Sequence, residues 1–150
     1  MIATELARAL RDSGLTWHPE PGDAFRIDRP EADGDVFVLS EMTVEAHHYP
    51  TGTVLGFNGT TEWALDSIEL DDTLWLPHEG QLRFLLARTF RSLVAAADGR
   101  FEVNVVIDDE ALTFVGVDAA DAYGRALLDL LDRSHGGTVE DEPDGVPWSP

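Results

Sequence analysis

The chain of 150 residues contains neither cysteine nor lysine. The absence of cysteine excludes disulfides, thiol nucleophiles and thiolate zinc sites. The absence of lysine excludes the phosphate-binding lysine of a Walker motif, a Schiff-base lysine and a Ser-Lys nucleophile. The sequence also has no Gly-x-Ser-x-Gly elbow and no Gly-x-Gly-x-x-Gly opening a helix. The sequence therefore contains no motif that indicates a nucleophilic hydrolase or a dinucleotide-binding enzyme.

Long hydrophobic runs are missing as well. The N-terminal stretch IATELARALRDSG mixes charges throughout, unlike a secretory signal, and no later run approaches the length of a membrane span. We therefore expect a soluble, cytoplasmic protein with no membrane association. Asn58-Gly59-Thr60 matches a glycosylation sequon, but that interpretation requires secretion, so we interpret the match as chance.

Acidic residues dominate the charged set. Asp and Glu number 29 against 10 basic residues, all of them arginine, and the formal net charge is -19 at pH 7. A body of this charge repels phosphate, so we expect no nucleic-acid partner. An acidic surface attracts a basic protein partner by long-range steering, and acidity also keeps a protein in solution without any partner. Both interpretations stay open at this point.

Length and composition predict the domain organisation. With 43% hydrophobic residues, the chain can bury one core of ordinary size. We predict a single α+β domain over residues 1–133, followed by an acidic, Gly/Pro-rich disordered tail over 134–150. The predicted order is α-β-β-β-β-α-β-β-α, with a mainly antiparallel sheet on which the helices pack.

Apolar spacing predicts the first elements. Residues 2–10 repeat at helical spacing, and Gly14 is placed to end that helix. Two strands are expected at 25–27 and 36–39. Residues 49–52, with the sequence YPTG, predict the tip of a hairpin between segments rich in β-forming residues.

The stretch GFNGTTEWALDS has two interpretations. Asn58-Gly59 suits a type I′ turn between strands at 54–57 and 61–65. Alternatively, Thr60 or Thr61 begins a short helix. In either case we interpret Trp63 as a core aromatic residue, because a large ring on one face of an amphipathic segment usually buries its area.

The second half of the chain predicts a long central helix, a hairpin and a final helix. The central helix would start near Pro77 and end at Gly99. The segments FEVNVVI and ALTFVGV flank an acidic tip at 108–110 and predict a β-hairpin. Asp118 is placed to cap the last helix, with Asp121 in the capping-box position. The predicted apolar face of the central helix comprises Leu82, Leu85, Leu86, Thr89, Phe90 and Leu93. That of the last helix comprises Tyr123, Ala126, Leu127, Leu130 and Leu131.

Three groups of phrases resemble a known family. They are GDAFRI with VFVLSEMTVE, GFNGTTEWALDSIE with LWLPHEGQLRFLL, and AYGRALLDLL, and they extend to about Arg133. These phrases are similar to a family of small acidic proteins from high-GC Gram-positive bacteria, often labelled pilus assembly proteins. That label implies a ParA-like ATPase with a lysine-containing phosphate loop, which a lysine-free chain contradicts. The resemblance implies kinship and supplies no catalytic residues.

Candidate metal ligands are dispersed along the chain. His47 and His48 are adjacent, and neighbouring strand residues point to opposite faces, so the pair does not converge readily on one ion. A site that combines one of them with His78 and the acids near Asp71 would define a small metal-dependent hydrolase, which is the alternative function. The paired aspartates at 71–72 and 108–109 fall in predicted turns, where aspartate bonds its own backbone.

We favour a non-catalytic protein-interaction module with an acidic surface, no cofactor and no metal. A third hypothesis is a structural role within a larger assembly. Polar and aromatic residues concentrate around one region, which is therefore the predicted binding surface: Asn58, Glu62, Asp71, Asp72, Trp75 and His78.

Overall fold

The computed structural model describes residues 1–29, 34–40, 44–49, 52–57 and 67–141. These residues form a mixed α+β structure, as predicted. The helices are α1 (Thr4–Asp12), α2 (Glu79–Leu86) and α3 (Ala119–Asp141). The strands are β1 (Ala24–Ile27), β2 (Val36–Val38), β3 (Val44–Tyr49), β4 (Gly52–Phe57), β5 (Ser67–Glu69), β6 (Thr73–Leu76), β7 (Phe90–Ala95), β8 (Phe101–Ile107) and β9 (Glu110–Gly116).

The chain divides into two compact units. Unit 1 contains Met1–Leu15 and the chain from Glu79 onward, and unit 2 contains Thr16–His78. Unit 1 holds the sheet β7-β8-β9, and unit 2 holds the sheets β2-β1-β6 and β3-β4-β5. Every strand pair is antiparallel, which confirms the predicted orientation. Among the described residues the strands form three separate sheets.

In unit 1, α3 packs on β8, β9, α1 and α2. The central strand β8 alternates, with Val103, Val105 and Ile107 buried. The predicted apolar face of α3 is confirmed, since Tyr123 and Leu127 are buried on it. Each large apolar side chain buried here contributes about 1.5–3 kcal/mol to folding. The apolar residues that alternate along β8 and those that repeat at helical spacing along α3 thus pack together in one core.

Asp118 caps the N-terminus of α3, as predicted, whereas within the described chain the Asp121 carboxylate binds Ala3 and does not complete the predicted capping box. The Asp118 carboxylate accepts a hydrogen bond from the Asp121 N–H at 2.8 Å. The buried Asp121 carboxylate accepts a hydrogen bond from the Ala3 N–H at 2.9 Å, which ties the segment before α1 to the start of α3. The helix continues past Arg133 to Asp141, so it includes the first part of the predicted tail.

The β8–β9 hairpin is confirmed, together with its acidic tip. Ile107 pairs with Glu110, leaving Asp108 and Asp109 as the two loop residues, with φ angles of 52° and 64°. Two consecutive positive φ values define a type I′ turn, whose twist matches that of the flanking strands. Aspartate tolerates this region better than most residues but less well than asparagine or glycine.

Replacing Asp108 with asparagine and Asp109 with glycine should stabilise unit 1 by about 1 kcal/mol, because Asn-Gly is the preferred type I′ pair. Thermal unfolding monitored by circular dichroism measures the change. The matched control, Asp108→Asn with Asp109→Asn, removes the same two charges but lacks the glycine. A gain as large in the control would attribute the effect to charge and contradict the conformational argument.

The predicted long central helix is wrong beyond Leu86. Ala87 has a positive φ of 50°, which ends the helix, and a short 3-10 turn over Ala87–Thr89 follows it. The chain then enters β7 and pairs with β8. Phe90 and Val94 have side chains that favour strands, and sheet pairing outweighs their helical spacing. The sequence analysis also missed β6, a four-residue strand paired with β1.

The remaining local predictions have mixed outcomes. Helix α1 is confirmed, with Gly14 at φ 107° just after it. The hairpin of β3 and β4 is confirmed, with Tyr49 paired to Gly52. The alternatives for the stretch after Asn58-Gly59, including the role of Trp63, lie outside the described residues. Within the described chain, the third strand of this sheet is Ser67–Glu69.

Candidate functional site

The predicted binding surface depends on strand β6 of unit 2. This strand lies beside β1, with Trp75 opposite Phe25. Beneath it is an aromatic cluster in which the Phe25 ring lies 5.3 Å from that of Trp17 and 5.6 Å from that of Phe37. Tilted and offset contacts at these separations stabilise aromatic pairs beyond the area they bury. The core of the cluster comprises Trp17, Phe25, Ile27 and Leu39, and Phe37, Leu70 and Trp75 pack against it.

A buried aspartate, which the sequence analysis missed, connects this cluster to the preceding loop. Asp23 is only 4% exposed. Its Oδ2 atom accepts hydrogen bonds from the Trp17 Nε1–H at 2.9 Å and from the Glu20 N–H at 3.0 Å. The sequence signal for it is the turn Pro21-Gly22-Asp23, where aspartate bonds nearby backbone N–H groups. Asp23 therefore fixes the loop that leads into β1.

The two predicted aspartates before β6 have different environments. Asp71 is exposed, whereas Asp72 is partly buried and forms an ion pair with Arg29. The Asp72 carbonyl also accepts the Asp28 N–H at 2.7 Å. Both lie in a 3-10 turn over Leu70–Asp72, which confirms the predicted turn. Asp72 thus has a structural role, and Asp71 is the carboxylate available to a partner.

Trp75 and His78 lie further along the same segment. Trp75 is half-buried, and its Nε1 is a buried donor with no acceptor among the described residues. His78 is exposed, and its Nε2 lies 3.0 Å from the carbonyl oxygen of Gly22, to which it donates. The carbonyl can only accept, so this contact requires a proton on Nε2. The histidine thereby anchors the end of β6 to the turn before β1.

Strand β6 separates two of the ligands proposed for the metal-dependent hydrolase, Asp71 and His78. Asp71 precedes the strand and His78 follows it. The four extended residues of β6 add about 13 Å of backbone between them. His47 and His48 are successive residues of β3, opposite Val54 and Thr53. Within the described ranges, no group of three His, Asp or Glu residues could hold a metal ion.

The described structure brings together only some of the residues of the predicted binding surface. Asp71 and Asp72 are neighbours in one turn, whereas Trp75 and His78 occupy the middle and the far end of the segment. Asn58 and Glu62 lie outside the described residues.

A second exposed acidic surface lies at the tip of the β8–β9 hairpin, in unit 1. Asp108, Asp109 and Glu110 are exposed there. Arg133 on α3 lies 3.5 Å from Glu110 and donates a 2.6 Å hydrogen bond to Asp129. This bond to Asp129, together with the charges of both carboxylates, raises the pKa of Arg133 despite partial desolvation. The tip is thus held against α3 at one side, while its two loop aspartates point into solvent.

Searches against protein families, curated proteins and solved structures found no match to this chain. Among the helices of the described residues, none has both the length and the apolar character needed to cross a membrane.

Proposed function

We propose that this protein is a non-catalytic, cytoplasmic interaction module whose acidic surface binds a basic protein. The observation that carries the proposal is the net charge of -19, with exposed carboxylates in both compact units. A surface of one sign raises the association rate of an oppositely charged partner and disfavours partners of like charge. The resemblance to small acidic bacterial proteins is part of the same proposal.

The contact surface that we propose lies before β6. Glu69 and Asp71 are exposed there, and Asp72 is held by Arg29, so the local backbone is fixed while the outer carboxylates remain available. Trp75 supplies a half-buried aromatic ring in the same segment. Aromatic residues are enriched in binding surfaces. Asn58 and Glu62 belong to this proposed surface on the sequence argument alone.

The proposal is tested by using the protein as bait in lysate of the source organism at low and high salt, with mass spectrometry of the eluate. We expect a basic protein to be retained at low salt and lost at high salt, because screening weakens exposed charge pairs. The variant Glu69→Gln with Asp71→Asn should lower retention of that protein about fivefold, since steering depends on these charges.

The hairpin tip provides the matched control. Asp108→Asn with Asp109→Asn removes the same number of charges from the other compact unit. Equal loss in the two variants would assign binding to net charge and contradict a defined surface before β6. An empty eluate at both salt concentrations would contradict the binding proposal itself.

A further inference from the structure

Among the described residues, strand β7 lies at the edge of its sheet. In the sheet order β7-β8-β9, its only strand neighbour among the described residues is β8. A bulge between Phe90 and Ser92 sets Arg91 apart from the register, and the pairing from Ser92 to Ala95 is regular. The backbone N–H and C=O groups that face away from β8 therefore present a row of donors and acceptors to an added strand.

The side chains of this edge are exposed and apolar. Leu93 is 38% exposed and Val94 is 43% exposed. From the cross-strand pairing, Leu93 shares a face with Val103, whereas Val94 shares the opposite face with Glu102. Proteins protect edge strands with charges, prolines or bulges. Strand β7 has a bulge and Arg91 near its start, whereas its regular part, Ser92 to Ala95, contains neither a charge nor a proline.

A cluster of arginines surrounds the start of the same strand. Residues 80–97 contain Arg83, Arg88 and Arg91 and no acidic residue, within a chain of net charge -19. The Arg83 guanidinium lies 4.4 Å from the centre of the Phe90 ring. The Arg91 guanidinium donates to the carbonyls of Arg88 and Phe90. These contacts position the Arg83 and Arg91 guanidinium groups near the start of the strand, and Arg88 lies between them in the sequence.

In the part of the chain that the structure describes, none of Arg83, Arg88 and Arg91 forms an ion pair. Arg88 and Arg91 are exposed. Residues 80–97 thus carry a positive formal charge in an acidic protein, although Glu79 and Asp98 border the segment and Glu102 lies opposite Val94.

We infer that the free edge of β7 binds an extended protein segment that alternates apolar and acidic residues, which adds to the sheet as a fourth strand. Main-chain hydrogen bonds provide the affinity, the apolar side chains of the segment contact Val94 on one face of the sheet, and the arginines select its carboxylates on the other face, which holds Phe90 and Leu93. This site is distinct from the acidic surface proposed above and accepts a partner of the opposite charge.

Charge disfavours a second copy of the chain at this edge. Antiparallel pairing of two β7 strands would place the two arginine clusters at opposite ends of the pair, where neither would meet a carboxylate on the other β7 strand. The two bodies would each carry a net charge of -19. Like charges at an interface suppress association, whereas a short acidic segment needs to neutralise only the local cluster.

The test uses a fluorescent synthetic peptide of alternating valine and glutamate, titrated with the full chain at about 0.15 M salt and followed by anisotropy. Amide hydrogen exchange then locates the contact. We expect saturable binding, with added protection confined to β7. A peptide with lysine in place of glutamate, and one with its alternate backbone amides methylated, should each bind at least about tenfold more weakly.

The matched variants are Arg88→Glu in the cluster and Arg125→Glu on α3, both at exposed positions. Arg88→Glu should weaken binding about fivefold, and Arg125→Glu should change it by less than about twofold. Absence of binding, equal binding of the lysine peptide, or equal loss in the two variants would overturn the inference. Protection of β7 that depends on protein concentration without peptide would also overturn it, in favour of a second copy.

Discussion

Replacing Asp23 with alanine lowers the free energy of unfolding of unit 2 by about 3 kcal/mol, the first of the two largest effects that we expect. The Trp17 Nε1–H and the Glu20 N–H both donate to one carboxylate oxygen of this residue. Without it, two donors lose their acceptor, and a donor left unsatisfied in a buried site costs about 1–3 kcal/mol. Urea denaturation followed by tryptophan fluorescence measures the loss, since Trp17 and Trp75 both lie in unit 2.

The control for Asp23 is asparagine, which keeps one side-chain oxygen at the same position. Asp23→Asn should lose about 1 kcal/mol, because a neutral acceptor makes weaker hydrogen bonds than a carboxylate. If Asp23→Ala is as stable as the parent chain to within about 0.5 kcal/mol, the assigned role of the carboxylate is wrong.

Replacing Gly116 with alanine should destabilise unit 1 by about 3 kcal/mol. A Cβ atom at this position would lie 2.4 Å from the Ala122 backbone nitrogen and 2.9 Å from the Asp118 carbonyl oxygen. Both atoms belong to the capped first turn of α3, so neither can move without breaking the cap. Thermal unfolding monitored by circular dichroism should show the loss.

Two other glycines in unit 1 give graded controls for Gly116. A Cβ at Gly80, in the first turn of α2, would meet nothing within 4 Å. Gly80→Ala should therefore be neutral or stabilising by up to about 1 kcal/mol. At Gly124, a Cβ would lie 2.8 Å from Leu6 Cδ2, a side-chain atom that can move, so we expect an intermediate loss. Equal effects at Gly116 and Gly124 would contradict the distinction between backbone and side-chain obstacles.

The two proposed surfaces follow from different observations. The acidic surface before β6 follows from the net charge and from exposed carboxylates, which the sequence itself supplies. The β7 edge depends on a strand that local spacing predicts to be helix. Two of its arginines, Arg83 and Arg91, contact Phe90 at the start of the strand. Composition alone would assign this protein a uniform acidic surface and miss the basic edge.

Local patterns identified much of the fold. The helical spacing before Gly14, the Asp118 cap and the alternation in FEVNVVI each correspond to an element in the structure. The hairpins predicted around 49–52 and 108–110 are also confirmed by the pairing of Tyr49 with Gly52 and of Ile107 with Glu110. These features depend on backbone preferences within a few residues, which is why the sequence is sufficient to predict them.

By itself, the sequence determined the α+β class, the acidic charge and the exclusion of thiol and lysine chemistry, because these follow from residue types and short-range periodicity. Only the tertiary structure decided that residues 90–95 form a strand, since pairing with β8 outweighs helical spacing. It also decided that Asp23 is buried and that β6 separates Asp71 from His78. Burial and strand pairing depend on residues distant in sequence, and no local pattern records which segments will meet.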